Sequence, residues 1–188
     1  MSGAVAGSDG KLRCPWAMSV PEYVDYHDTE WGQRLTTDDA MFERLSLEAF
    51  QSGLSWLVIL RKRDAFRKAF DGFELETVAG YGAGDVERLL ADAGIVRNRA
   101  KIEAAIGNAQ AALALDGGLL KHVSGFAPRG RRKAPKALGE VPAESPESQA
   151  LAKDLRKRGF RFVGPTTLYA LFQATGLVND HLADCFAR

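Results

Sequence analysis

Six stretches of this chain repeat apolar residues every three or four positions, and a glycine closes each of them. The stretch 38–52 carries Met41, Phe42, Leu45 and Phe50 and stops at Gly53; the stretch 56–70 carries Ile59, Leu60 and Phe66 and stops at Gly72. Residues 85–93 end at Gly94 and residues 101–115 at Gly117 and Gly118. Two later segments open on Ser145-Pro146 and on Pro165 and close at Gly159 and Gly176. Such spacing puts side chains on one face of an α-helix, and glycine readily takes the left-handed conformation that ends one. No run alternates as a strand and no repeat is found, so the fold class expected is mainly α.

With 188 residues, 46% of them hydrophobic, one domain has enough material for a core. No apolar run reaches the roughly 18 residues a membrane helix needs, so no membrane partner is expected. Residues 1–12 are rich in glycine, alanine and serine, lack a signal-peptide pattern, and are expected to form a flexible tail before a single domain over 13–188. That pattern predicts an intracellular, cytoplasmic protein. The net charge of +1 hides basic clusters at 61–63, 97–101, 129–136 and 156–161, which permit a nucleic-acid partner but equally suit solvated helix faces. The segment 127–148, rich in proline and charge, reads as an exposed excursion between helices.

Cys14 and His27 stand near one end of the chain, and His181 and Cys185 near the other. His181 and Cys185 are four apart, which on a helix stacks them one turn from each other, with Asp180 at the start as a cap. Two thiolates and two imidazoles make a closed tetrahedral shell for a structural zinc, with no open position for a reactive water. The same residues also read as ordinary buried cysteines and a satisfied surface histidine. A hydrolytic zinc using His27 and His181 is disfavoured because a fourth protein ligand is available.

The stretch YHDTEWG, 26–32, crowds a tyrosine, a histidine, acids and a tryptophan together. All three tryptophans, Trp16, Trp31 and Trp56, precede residue 57, as do Tyr23 and Tyr26. Met41, Leu45, Glu48 and Ser52 form one stripe, so Glu48 is a carboxylate on an apolar helix face. Unpaired burial there would cost several kcal/mol on the order of magnitude, which calls for either a structural hydrogen bond or a ligand. Aromatic rings around one acid suit a flat, electron-poor ring with hydrogen-bond donors.

The blocks CPW (14–16), YVDYHDTEWG (23–32), LEAFQSGLSW (47–56), DAGIVRNRAKI (92–102), RGFRFVGPTT (158–167) and GLVNDH-x3-C (176–185) together resemble the Tag-type DNA-3-methyladenine glycosylase I family, in its order. Departures are Ala49-Phe50, where some members carry Gly-Gln, and Ser124, where tryptophan is common. The resemblance implies a helix-hairpin-helix glycosylase fold and one structural zinc per chain on Cys14, His27, His181 and Cys185. It further implies a base pocket in which Glu48 is catalytic, Tyr26 and Trp56 bind the base, and Trp16, Tyr23 and Trp31 line the walls. The implied activity is monofunctional hydrolysis of the N-glycosidic bond of 3-methyladenine, by a monomer acting on alkylated double-stranded DNA. Gly53-Leu54 is expected to fill the vacated stack, and Gly164 and Thr166 to meet a DNA phosphate. The alternative is a non-catalytic, zinc-stapled module that binds damaged DNA.

Overall fold

A computed structural model describes residues 3–130 and 132–188. Met1 and Ser2 of the expected tail, and Arg131 of the basic run 129–136, lie outside the described residues. Helices dominate: α1 (Pro21–Thr29), α2 (Asp38–Gln51), α3 (Trp56–Ala69), α4 (Leu75–Ala79), α5 (Ala83–Ala91), α6 (Arg99–Leu113), α7 (Leu119–Ser124), α8 (Pro146–Lys157) and α9 (Pro165–Ala174). The helices read from periodicity appear within about two residues of their expected ends. The starts are set by local chemistry. Thr37 accepts from the amide of Ala40, Asn98 from that of Lys101, and Ser145 and Ser148 cap each other across the first turn of α8.

Helix α2 is the centre of the molecule. From Met41 to Phe50 almost every residue is buried, polar ones included, because α3, α4, α6, α7 and α9 all pack on it. Phe50 joins the core and packs 4.8 Å from Phe66 and 5.8 Å from Phe70, ring centre to ring centre. No helix among the described residues is long and apolar enough to cross a membrane.

Two expectations are corrected. Residues 5–13, read largely as a flexible tail, form a two-stranded antiparallel hairpin, β1 (Val5–Ala6) with β2 (Leu12–Arg13). Buried Arg13 holds it down, bonding Asp9 within the hairpin and Asp28 on α1. His181 and Cys185 do not share a helix, and Asp180 caps none. Backbone donors there go to tertiary partners instead of carbonyls four residues back: Leu182 N to Cys14 Sγ, Ala183 N to the Pro135 carbonyl and Phe186 N to the Leu12 carbonyl. The excursion 127–148, which leads from α7 to α8, is mostly exposed yet tied to the body. It is strapped to the C-terminal segment at Pro135, and Arg132 Nη1 donates to the Tyr169 hydroxyl at 3.1 Å.

Candidate functional site

YHDTEWG begins on the last turn of α1 and ends in the turn after it. Consecutive side chains on a helix point about 100° apart, so Tyr26 and His27 face different neighbours. Tyr26 lines a cavity of about 440 Å³, while His27 enters a buried group of metal-ligating side chains.

The cavity brings together every residue expected at a base pocket: Trp16, Tyr23, Tyr26, Trp31, Glu48 and Trp56. Trp16 is the hub, 5.9 Å from Tyr23, 6.4 Å from Tyr26 and 5.1 Å from Trp31 between ring centres. Trp56, at the start of α3, stands 5.5 Å from Tyr26, and its buried indole Nε1 has no partner among the described residues. Glu48 is 5% exposed and receives no hydrogen bond from a described residue. Burial pushes its carboxyl up from 4.5 to about 7, against the opposing pull of the Arg44 guanidinium. A buried acid in an aromatic recess without a protein donor is a place for a ligand's donor.

Several lining residues escape a reading of spacing. Gln173 of α9 and Asp180 complete the wall, and Leu138 and Val141 reach it from the excursion. Asp180 Oδ2 accepts from the Tyr169 hydroxyl at 2.5 Å and from Gln173 Nε2 at 3.0 Å, which replaces the helix-capping role expected of it. Arg44 is buried one turn before Glu48, and spacing alone does not single it out among the charged residues of α2.

Cys14 Sγ, Cys185 Sγ and a ring nitrogen of His27 lie within 4.8 Å of one another. Burial pushes the Cys14 thiol up to about 12. His27 Nδ1 faces Asp28 Oδ1 at 2.9 Å, leaving Nε2 toward the sulfurs, 3.4 Å from Cys185. Arg13 beside Asp28 holds that carboxyl below its usual range, so an ionised acceptor orients the imidazole, as around many metal sites. His181 is outside this trio, but its ring centre is 5.0 Å from that of His27. Asn179 Oδ1 faces His181 Nδ1 at 3.1 Å, and the buried Nε2 has no partner. Burial, first, and then His27 pull this imidazole down to about 4, so it is neutral and its bare nitrogen is a lone pair. An orphaned lone pair next to two thiols and an imidazole fits a metal's fourth ligand. Gly32, which ends the opening stretch at φ +85, leaves the room: a Cβ there would stand 3.0 Å from His181 Cε1.

Gly53 (φ +79) and Leu54 form the exposed turn between α2 and α3. Lys101 of α6 holds that turn from below, donating to the carbonyls of Phe50 at 2.9 Å and Ser52 at 2.6 Å. Gly164 is the residue before the first turn of α9, and Thr166 is exposed beside it. Asn108 of α6 clamps the approach to it, bonding both backbone groups of Arg161.

The sequence model of the methyladenine glycosylase family matches residues 16–188. DNA-3-methyladenine glycosylase 1 of Escherichia coli (strain K12) is 44% identical over 177 residues, 92% of this chain and 95% of that protein. DNA-3-methyladenine glycosylase of Haemophilus influenzae (strain ATCC 51907 / DSM 11121 / KW20 / Rd) is 41% identical over 178 residues, 92% of this chain and 96% of that one. The fold matches that of 3-methyladenine DNA glycosylase I from Staphylococcus aureus, solved to explain its recognition of 3-methyladenine, with a TM-score of 0.88 at 35% identity, covering 93% of this chain and 95% of that one. A match along residues 16–188, with such identity over nearly the whole length of the relatives, makes this chain a member of the methyladenine glycosylase family.

Proposed function

We propose that this chain is a DNA-3-methyladenine glycosylase of base-excision repair, which removes 3-methyladenine from alkylated double-stranded DNA and releases the free base. The observation that carries this is Glu48, a buried acid without a protein donor, facing an aromatic cavity in a chain of this family. The protein acts as a monomer in the cytoplasm.

A base inside the duplex is out of reach, so the nucleotide is flipped out, and a lesion that stacks and pairs poorly is the least costly to extrude. Leu54 at the exposed turn fills the gap, with Gly53 supplying the left-handed corner. The helix-hairpin-helix unit is α8, the turn before Gly164, and α9, whose first amides and Thr166 meet a phosphate. Tyr26 and Trp56 hold the base between them, with Trp16, Tyr23 and Trp31 excluding water. Glu48 accepts from the exocyclic amino group; guanine would turn a carbonyl oxygen toward the carboxylate and is rejected. Methylation at N3 makes the base a cationic leaving group, so no side chain has to protonate it. The carboxylate's negative charge favours the cationic ring and the oxocarbenium-like sugar as water adds.

Cys14, Cys185, His27 and His181 would hold one zinc. With four protein ligands its chemistry is structural: it staples the chain ends together. Incubation with methylated duplex DNA, with released bases separated by chromatography, tests the function. Free 3-methyladenine is expected. Binding to that DNA without release would leave a damage-binding module in its place.

A further inference from the structure

Arg44 meets the hydroxyl of Tyr26, a residue of the cavity wall. Arg44 Nη1 donates to the Tyr26 hydroxyl oxygen at 2.9 Å, and its Cζ stands 5.4 Å from the Tyr26 ring centre and 5.7 Å from that of Trp56. Arg44 Nη2 lies 3.7 Å from Glu30, whose two oxygens are in turn held by Arg63 at 2.5 and 2.8 Å. The guanidinium is therefore fixed from two sides, 9% exposed, and it cannot swing to solvent without breaking this chain of contacts.

A guanidinium offers donors only, whereas a phenol oxygen both donates and accepts. With its acceptor side taken by Arg44, Tyr26 has its own O–H left to donate, and no described residue receives it. Burial keeps that proton on the oxygen, raising the phenol above its ordinary value. Glu48, one turn along α2 from Arg44, offers the opposite polarity, an acceptor without a donor.

We propose that Arg44 is a positioning residue of the base pocket: by occupying the acceptor side of Tyr26 it commits the phenol to donate into the cavity. The pocket then presents one donor, Tyr26, and one acceptor, Glu48. A ring is selected that carries an acceptor nitrogen beside an amino group, the arrangement on an adenine edge. This rests on the base-recognition reading of Tyr26 and Glu48 given above.

Calorimetry with free 3-methyladenine tests it on four proteins: the unaltered chain, Arg44→Met, Tyr26→Phe and the pair. Arg44→Met should weaken binding by about tenfold when Tyr26 is present but by less than about twofold in the Tyr26→Phe background, since the two act through one hydroxyl. Arg44→Lys, which keeps a donor, should recover most of the loss. An equal loss in both backgrounds, or no loss, overturns the proposal. Thermal melts of each variant separate a fold defect, which would lower stability alike in both backgrounds, from this coupling. Absence of binding by the unaltered chain overturns the base-recognition reading itself, and this role with it.

Discussion

Trp31 and His181 lie edge to face, with ring centres 4.6 Å apart. The indole lines the cavity while the imidazole belongs beside the cysteine–histidine group, so site and cluster share a wall. Trp16 does the same from the other side, 5.3 Å from His27.

His181→Ala removes the proposed fourth metal ligand and the ring behind Trp31 together. Zinc content should fall well below the one atom per chain expected of the unaltered protein. A loss of about 3 kcal/mol would lower the melting temperature by about 6–12 °C for a chain of this size. Tryptophan emission should shift at the same time. Metal analysis showing no zinc in the unaltered protein, together with an unchanged melting point, would defeat the assignment.

Glu48 carries a pH signature. Its carboxyl is raised from 4.5 to about 7, so the folded protein holds that proton more tightly than the unfolded chain. The neutral acid's contribution is fully present below about pH 4.5 and is lost as the pH rises through 7. Glu48→Gln stays neutral throughout. The variant should match the unaltered protein near pH 4 and exceed it by up to about 3 kcal/mol at pH 8. Paired melts at the two pH values check this, and a constant gap between the proteins would sink it. The same variant should bind 3-methyladenine poorly, because an amide donor then meets the amino group.

Asp180 is held by Tyr169 and Gln173, with Arg132 Nη1 3.6 Å from its other oxygen. Asp180→Asn keeps an acceptor for Tyr169 but loses the charge facing Arg132. Stability should fall by about 1–2 kcal/mol through the disturbed network. Base release should stay within roughly tenfold, about 1.4 kcal/mol of barrier. Single-turnover kinetics would instead assign it a chemical role if the rate fell a thousandfold with zinc retained.

Substitution of Lys101 is expected to separate binding from flipping. Lys101→Met leaves the carbonyls of Phe50 and Ser52 without its amine and frees the turn bearing Leu54. The cost to stability should be about 2–3 kcal/mol. Affinity for the free base should hold while the single-turnover rate on methylated duplex DNA drops. A parallel loss of both would mean that the lysine only supports the core.

Periodicity and glycine placement were enough to locate α2, α3, α5, α6, α8 and α9, because each buries a stripe whose spacing is local to the helix. Glu48 was legible for the same reason, as an acid interrupting such a stripe. Helix α1 was not, since its side chains serve a cavity and a cluster and carry no apolar period of their own.

The residue types at the site were determined by sequence: three early tryptophans, two thiols and two imidazoles at opposite ends, one misplaced carboxylate. Their arrangement was decided by tertiary structure. Residues 180–185 are not a helix, and the amides of Leu182, Ala183 and Phe186 are spent on Cys14, Pro135 and Leu12, partners at least 48 positions away that no local pattern reveals. Likewise, the polarity of Tyr26 depends on Arg44, 18 residues along the chain, and the cavity wall on Leu138 and Val141 from a segment that reads as solvent-exposed. Local spacing specifies which face a side chain occupies; only the packing of distant elements specifies what that face meets.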